Sequence, residues 1–189
     1  MVEPLENSAF PKNIDQLIKL PDFLIPVYEK RKKDAMVGSY ENIKARFHRL
    51  PIVEGWATYG PALRDQGAIV AVRYKIPMVN TDVVPEKFVP YFLEHEVVES
   101  ALDSDPSTDH DRVAYGIISE LDLNRSARVS RPRWNHALAV IHQMRMAQKD
   151  GLLDEMMQFM DDLELRERNK RDAVGNKEFR LAVYSFFNS

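Results

Sequence analysis

The chain has 189 residues, 44% of them hydrophobic and 29% charged, with a formal net charge of −3. That mix supplies a full core and excludes general disorder, and so small a net charge gives no global field to draw in nucleic acid. There is no cysteine, which excludes disulfides, thiolate metal sites and cysteine nucleophiles.

The length fits a single domain over residues 1–189. Residues 1–11 hold two prolines and read as an irregular arm, and their acidic start lacks the apolar run of a signal peptide. No stretch approaches the roughly 18 apolar residues of a membrane helix, so a cytoplasmic protein without a membrane segment is expected. Asn13 to Leu20 is expected as a short helix stopped by Pro21, Phe23 to Ala35 as a second, and Tyr40 to Leu50 as a third ended by Pro51.

The next segment changes character. Ile52 to Tyr59 carries β-branched and aromatic residues and is a short strand candidate. Gly60-Pro61 and the stretch to Gly67 read as a loop. Ala68 to Tyr74, rich in β-branched residues and bounded by Gly67 and Pro77, is the better strand. Two strands imply a small antiparallel sheet.

From Pro85 the pattern is helical. Phe88, Tyr91, Phe92, His95, Val98, Glu99 and Leu102 fall at i, i+3, i+4 spacing and mark one inward face. After a polar loop over 103–109, a helix is expected from about His110 to Asn124, with Val113, Ala114, Ile117, Ile118 and Leu121 as its stripe. Another runs from about Pro132 to Lys149, closed by Asp150-Gly151, and one more carries Leu152, Met156, Phe159, Met160 and Leu163. Residues 166–177 form a charged connection to a C-terminal helix over Glu178 to Phe187. The fold class is therefore α+β and predominantly helical: a small antiparallel sheet beside a bundle of about six helices.

Chemistry concentrates at His95-Glu96-Val97-Val98-Glu99. Four residues apart, His95 and Glu99 share a helical face, and an inward carboxylate needs a partner because an unpaired buried charge is costly. His110 lies on the stripe of the following helix, and a short connection favours antiparallel packing, which would bring it to His95 and Glu99. Two histidines and one carboxylate form a three-ligand set for zinc or another divalent metal, with one position left for water. His136 and His142, six apart, face differently and make a poor metal pair.

His95-Glu96-x-x-Glu99 resembles the His-Glu-x-x-His helix of the zincin metallopeptidases, and the strand Ala68 to Tyr74 lies ahead of it as in that group. The resemblance implies that His95 is a metal ligand and Glu96 the general base. Glu99 stands where the zincins have their second histidine, and His110 or Glu120 would supply the third ligand. It further implies hydrolysis of a peptide or amide bond in a protein or peptide substrate, with zinc as cofactor. The rival expectation is a non-enzymatic interaction protein, a homo-oligomer or partner-binding module using apolar helical surfaces.

Two other segments are read as structural. The acidic loop Asp103 to Asp111 has Thr108 and Ala114 where a calcium loop requires glycine and glutamate, so its aspartates are expected to cap the next helix. Arg125, Arg128, Arg131 and Arg133 beside Trp134 are expected to be solvated rather than to bind nucleic acid.

Overall fold

In the computed structural model the described residues are 15, 18–51, 56–71, 75–104, 132–166, 177, 179–181, 183–185 and 187. The arm 1–11, half of the expected helix 13–20, the helix 110–124 with His110, Arg125 to Arg131, and nearly all of the connection 166–177 lie outside them.

The first helix, α1, spans Ile25–Asp34 after a 3₁₀ turn at Asp22–Leu24. Its second residue, Pro26, needs no N–H partner there, and Arg31, Lys32 and Lys33 sit at the carbonyl-rich end that favours cations. A three-residue strand, β1 (Met36–Gly38), follows. Helix α2 (Tyr40–Phe47) is capped by Ser39, whose Oγ accepts from the Asn42 N–H. It stops three residues short of the expected end. Arg49 and Leu50 turn their N–H groups to Arg46 and Phe47, a tightening that suits a chain about to enter Pro51.

Two expectations for the next stretch are corrected. Gly60 to Gly67 is not a loop: α3 spans Gly60–Gln66. Pro61 occupies its first turn, and Gly67 closes it at φ 79° with its N–H on the Leu63 carbonyl. The glycine and proline that read as loop punctuation are the start and stop of a short helix. The described part of the first strand candidate, Trp56 to Tyr59, is a turn. Its aromatics serve packing instead, with Trp56 edge-on to both Tyr40 and Phe47.

The sheet comprises β1, β2 (Ala68–Ala71) and β3 (Ile76–Asn80) in the order β1-β3-β2. Strands β2 and β3 pair antiparallel, as expected of a hairpin, but β1 runs parallel to β3, so the sheet is mixed rather than wholly antiparallel. Neither β1 nor β3 is expected from the sequence, the latter because Pro77 reads as a terminator. It is tolerated since β1 begins opposite Met78, leaving Pro77 beyond that pairing. Both sheet faces are covered. Met78 and Ala71 belong to a core with Ile43, Phe47, Trp56 and Leu63, whereas Val79 and Ala68 belong to a larger core with the later helices α4 (Val89–Leu102), α5 (Pro132–Lys149) and α6 (Leu153–Arg166). That explains why β3 is apolar at successive positions instead of alternating.

Helix α4 (Val89–Leu102) follows a 3₁₀ turn at Glu86–Phe88. The expected stripe is buried apart from the half-buried Glu99, and so are Glu96, Val97, Ser100 and Ala101, because α1, the sheet and α5 surround the helix. Helix α5 (Pro132–Lys149) packs antiparallel to α4. Asn135 bonds Asp103 at one end of the pair, and at the other the Tyr91 hydroxyl donates to Asp150 at 2.8 Å. Gly151 at φ 70° turns the chain into α6 (Leu153–Arg166). The described C-terminal residues are helical; among them Val183 joins the larger core, and Lys177 and Arg180 pair with Asp161. The α+β, predominantly helical class thus holds. No described helix is long and apolar enough to cross a membrane.

Candidate metal centre

Among the described residues, the α4–α5 pair carries four of the six buried polar side chains: His95, Glu96, Ser100 and Gln143. On its outer end His95 and Glu99, one turn apart on α4, meet His136 from the first turns of α5. His95 Nε2 lies 3.3 Å from Glu99 Oε2 and 3.2 Å from His136 Nδ1, and His136 Nδ1 lies 3.4 Å from the same Glu99 oxygen. The three atoms make a nearly equilateral triangle. Side-chain exposure rises from 9% at His95 through 24% at Glu99 to 38% at His136, so the triangle is anchored in the core and opens outward at α5. The bond from Asn135 Nδ2 to Asp103 Oδ1, at 2.7 Å, fixes the start of α5 against the end of α4 and so places His136.

Protons alone cannot satisfy this triangle. Each imidazole nitrogen has a single in-plane position, filled by a proton or by a lone pair. If both nitrogens carry protons, both can donate to Glu99 Oε2, but two N–H groups then face each other at 3.2 Å. If one nitrogen donates to the other, the acceptor has no proton left for Glu99. Two of the three contacts are the most that protons can serve. One cation at the centre would serve all three.

The electrostatics suit that role. Burial opposes ionisation of Glu99, but the hydrogen bonds from His136 and His95 hold its carboxyl well below the usual range, so it is an anion at neutral pH. Burial pushes the His95 imidazole below its ordinary value and outweighs the neighbouring Glu99, leaving it neutral with a lone pair to offer. Glu96 is 7% exposed and burial, reinforced by the charge of Glu99, raises its carboxyl well above the usual range.

No protein-family model, curated protein or solved structure matches this chain. The site therefore stands on its own geometry. Of the residues expected from sequence, His95 and Glu99 come together, Glu96 is buried beside them, and His110 lies outside the described residues. His136, and not His110, is the third residue at the triangle. Its signal was present: His136 continues by one turn a stripe of Val140, Gln143 and Ala147 on α5, all of them buried. Comparing it with His142 concealed this, because the relevant partner is on α4.

His142 serves a second, separate cluster. The Tyr28 hydroxyl donates to Glu94 Oε2 at 2.6 Å, and His142 Nδ1 lies 3.9 Å from Glu94 Oε1. Burial lowers the His142 imidazole to about 4, against a hydrogen bond to the Ile18 backbone that raises it and with help from the Lys149 charge. The unfolded imidazole takes its proton near pH 6.5 and the folded one only near 4, so between them the unfolded state binds more protons and stability falls as the pH falls. We expect wild type to lose about 2–3 kcal/mol more than His142→Gln between pH 7 and pH 4, measured by urea unfolding at each pH. Parallel pH profiles for the two proteins would remove His142 as the cause.

Proposed function

We propose that the chain is a metal-dependent hydrolase of peptide or amide bonds, built on a mononuclear divalent-cation centre of His95 Nε2, Glu99 Oε2 and His136 Nδ1. One observation carries the reading: the three donor atoms stand 3.2, 3.3 and 3.4 Å apart. Around a tetrahedral zinc ion with bonds of about 2.0–2.1 Å, ligand atoms are separated by about 3.3–3.4 Å. The triangle thus has the spacing of three corners of a zinc tetrahedron, and an ion bound there would keep a fourth position for water or substrate. Two histidines and one glutamate is also a ligand set that zinc peptidases use. His136 replaces His110 as the third ligand of the proposal.

A cation there would polarise a water molecule and the substrate carbonyl. Glu96 is the carboxyl left over: buried, one residue from His95, and not part of the triangle. Its role in this reading is to take the proton of the attacking water.

The test is a titration of the metal-free protein with Zn²⁺, followed by assay of the loaded protein on a mixed peptide library with mass-spectrometric readout. Uptake of one equivalent and cleavage that a chelator stops are the expected results. Uptake without cleavage of any peptide or amide would leave the centre structural, in keeping with a non-enzymatic interaction protein. No uptake would end the metal reading.

A further inference from the structure

A metal-binding histidine uses one ring nitrogen on the ion and, as a rule, donates the other N–H to a fixed acceptor that sets the tautomer and the ring plane. In the triangle His95 presents Nε2, so Nδ1 is turned into the protein. That atom is buried and has no hydrogen-bond partner. An orphaned buried ring nitrogen calls for an explanation, since such groups are rare and costly.

The α5 helix supplies one. Gln143, two turns along from His136, is 1% exposed, and its side chain stands within interacting reach of His95. The contact is not closed, because Gln143 Nε2 is likewise buried without a partner. Two neighbouring buried side chains, on α4 and α5, thus each hold an unpartnered nitrogen. A primary amide has a donor on one side and an acceptor on the other, and a half-turn of its terminal torsion exchanges them. Without a metal, His95 Nε2–H can donate to Glu99, and Nδ1 is then an acceptor for the amide N–H. With a metal, Nε2 must be bare, Nδ1 carries the proton, and the amide oxygen must be turned toward it. Glutamine meets both demands with no net charge, which suits a buried site beside an anionic Glu99.

We infer that Gln143 is the positioning residue of the metal centre, accepting the Nδ1–H of His95 on its amide oxygen and so holding Nε2 toward the ion. The inference rests on the metal reading and adds to it a tautomer switch driven by rotation of one amide.

The experiment measures Zn²⁺ affinity of the full chain by chelator competition for wild type, Gln143→Met and Gln143→Glu, with the melting temperature of each metal-free protein as a check on folding. Met keeps the length of the side chain and removes the acceptor; Glu keeps the acceptor and adds a charge. Positioning predicts affinity weakened about 10–100-fold in Gln143→Met and largely restored in Gln143→Glu. A packing role predicts the reverse order, because a buried extra carboxylate disturbs the core more than a thioether does. Long-range ¹⁵N–¹H spectra of the Zn²⁺-loaded wild type add a readout that needs no variant: His95 should carry its proton on Nδ1. Wild-type affinity in Gln143→Met, an affinity order with Glu lowest, or a His95 bound through Nδ1 would each overturn the inference. Where wild type binds Zn²⁺ and Gln143→Met binds it equally well, this inference alone fails; where wild type takes up no Zn²⁺, the metal reading fails with it.

Discussion

Replacing His136 by alanine is expected to weaken Zn²⁺ binding by more than about 100-fold, since even the loss of an outer-shell partner costs 10–100-fold. The alanine variant keeps His95 and Glu99, but two ligands on one helix turn cannot close a three-point site. Its metal-free fold should change little. The His136 side chain is 38% exposed and belongs to none of the hydrophobic clusters, so its loss leaves no core cavity. The contrast shows in thermal unfolding. At a free Zn²⁺ concentration of 100 times the dissociation constant, wild type gains about 2.7 kcal/mol by mass action, and His136→Ala at the same concentration gains under about 1 kcal/mol. His110→Ala measured beside it decides between the two histidines. If the His110 variant loses the metal and the His136 variant keeps it, the ligand set expected from sequence is right and the triangle is only a hydrogen-bonded clamp.

The contrast between these histidines shows what the sequence carried. Helix α4 was legible because its apolar residues repeat with the helical period, and that period put His95 and Glu99 on one inward face. The period says which face is buried, but not which other helix covers it. His136 is 41 residues from His95, and only the pairing of α4 with α5 brings them together. The burial of Glu96 was not legible for a related reason. One apolar stripe suggests a helix with a wet back, whereas α4 is enclosed by α1, the sheet and α5 and buries Glu96, Val97 and Ser100 as well. Strand β3 was hidden by Pro77, whose missing N–H is harmless only because β1 starts one residue later. Helix α3 was hidden by Gly60 and Gly67. Gly60 is required by packing, since a Cβ there would stand 2.4 Å from Trp56 Nε1. Local signals named the elements correctly where one side chain had one job. They failed where tertiary contact gave a residue a second one.

Glu96→Gln separates an enzyme from a protein that merely binds metal. Glu96 is not one of the three converging ligands, so the variant should take up Zn²⁺ with wild-type stoichiometry and affinity. Its fold should be at least as stable as wild type. The amide has the shape of the carboxyl it replaces, and it escapes the burial and the Glu99 charge that disfavour an ionised Glu96. Catalysis is where the two differ. An amide cannot accept a proton from the attacking water, and losing a general base costs about 10²–10⁴ in rate. The expected result is therefore a loaded, folded variant whose kcat falls by that factor while KM stays near the wild-type value, measured on whichever peptide the wild type cleaves. Were Glu96 only a structural carboxyl, the substitution would leave kcat unchanged or would lower melting temperature and activity together. An unaltered kcat in a fully loaded Glu96→Gln protein would take the proton-transfer role away from Glu96 and leave the hydrolase proposal without a base.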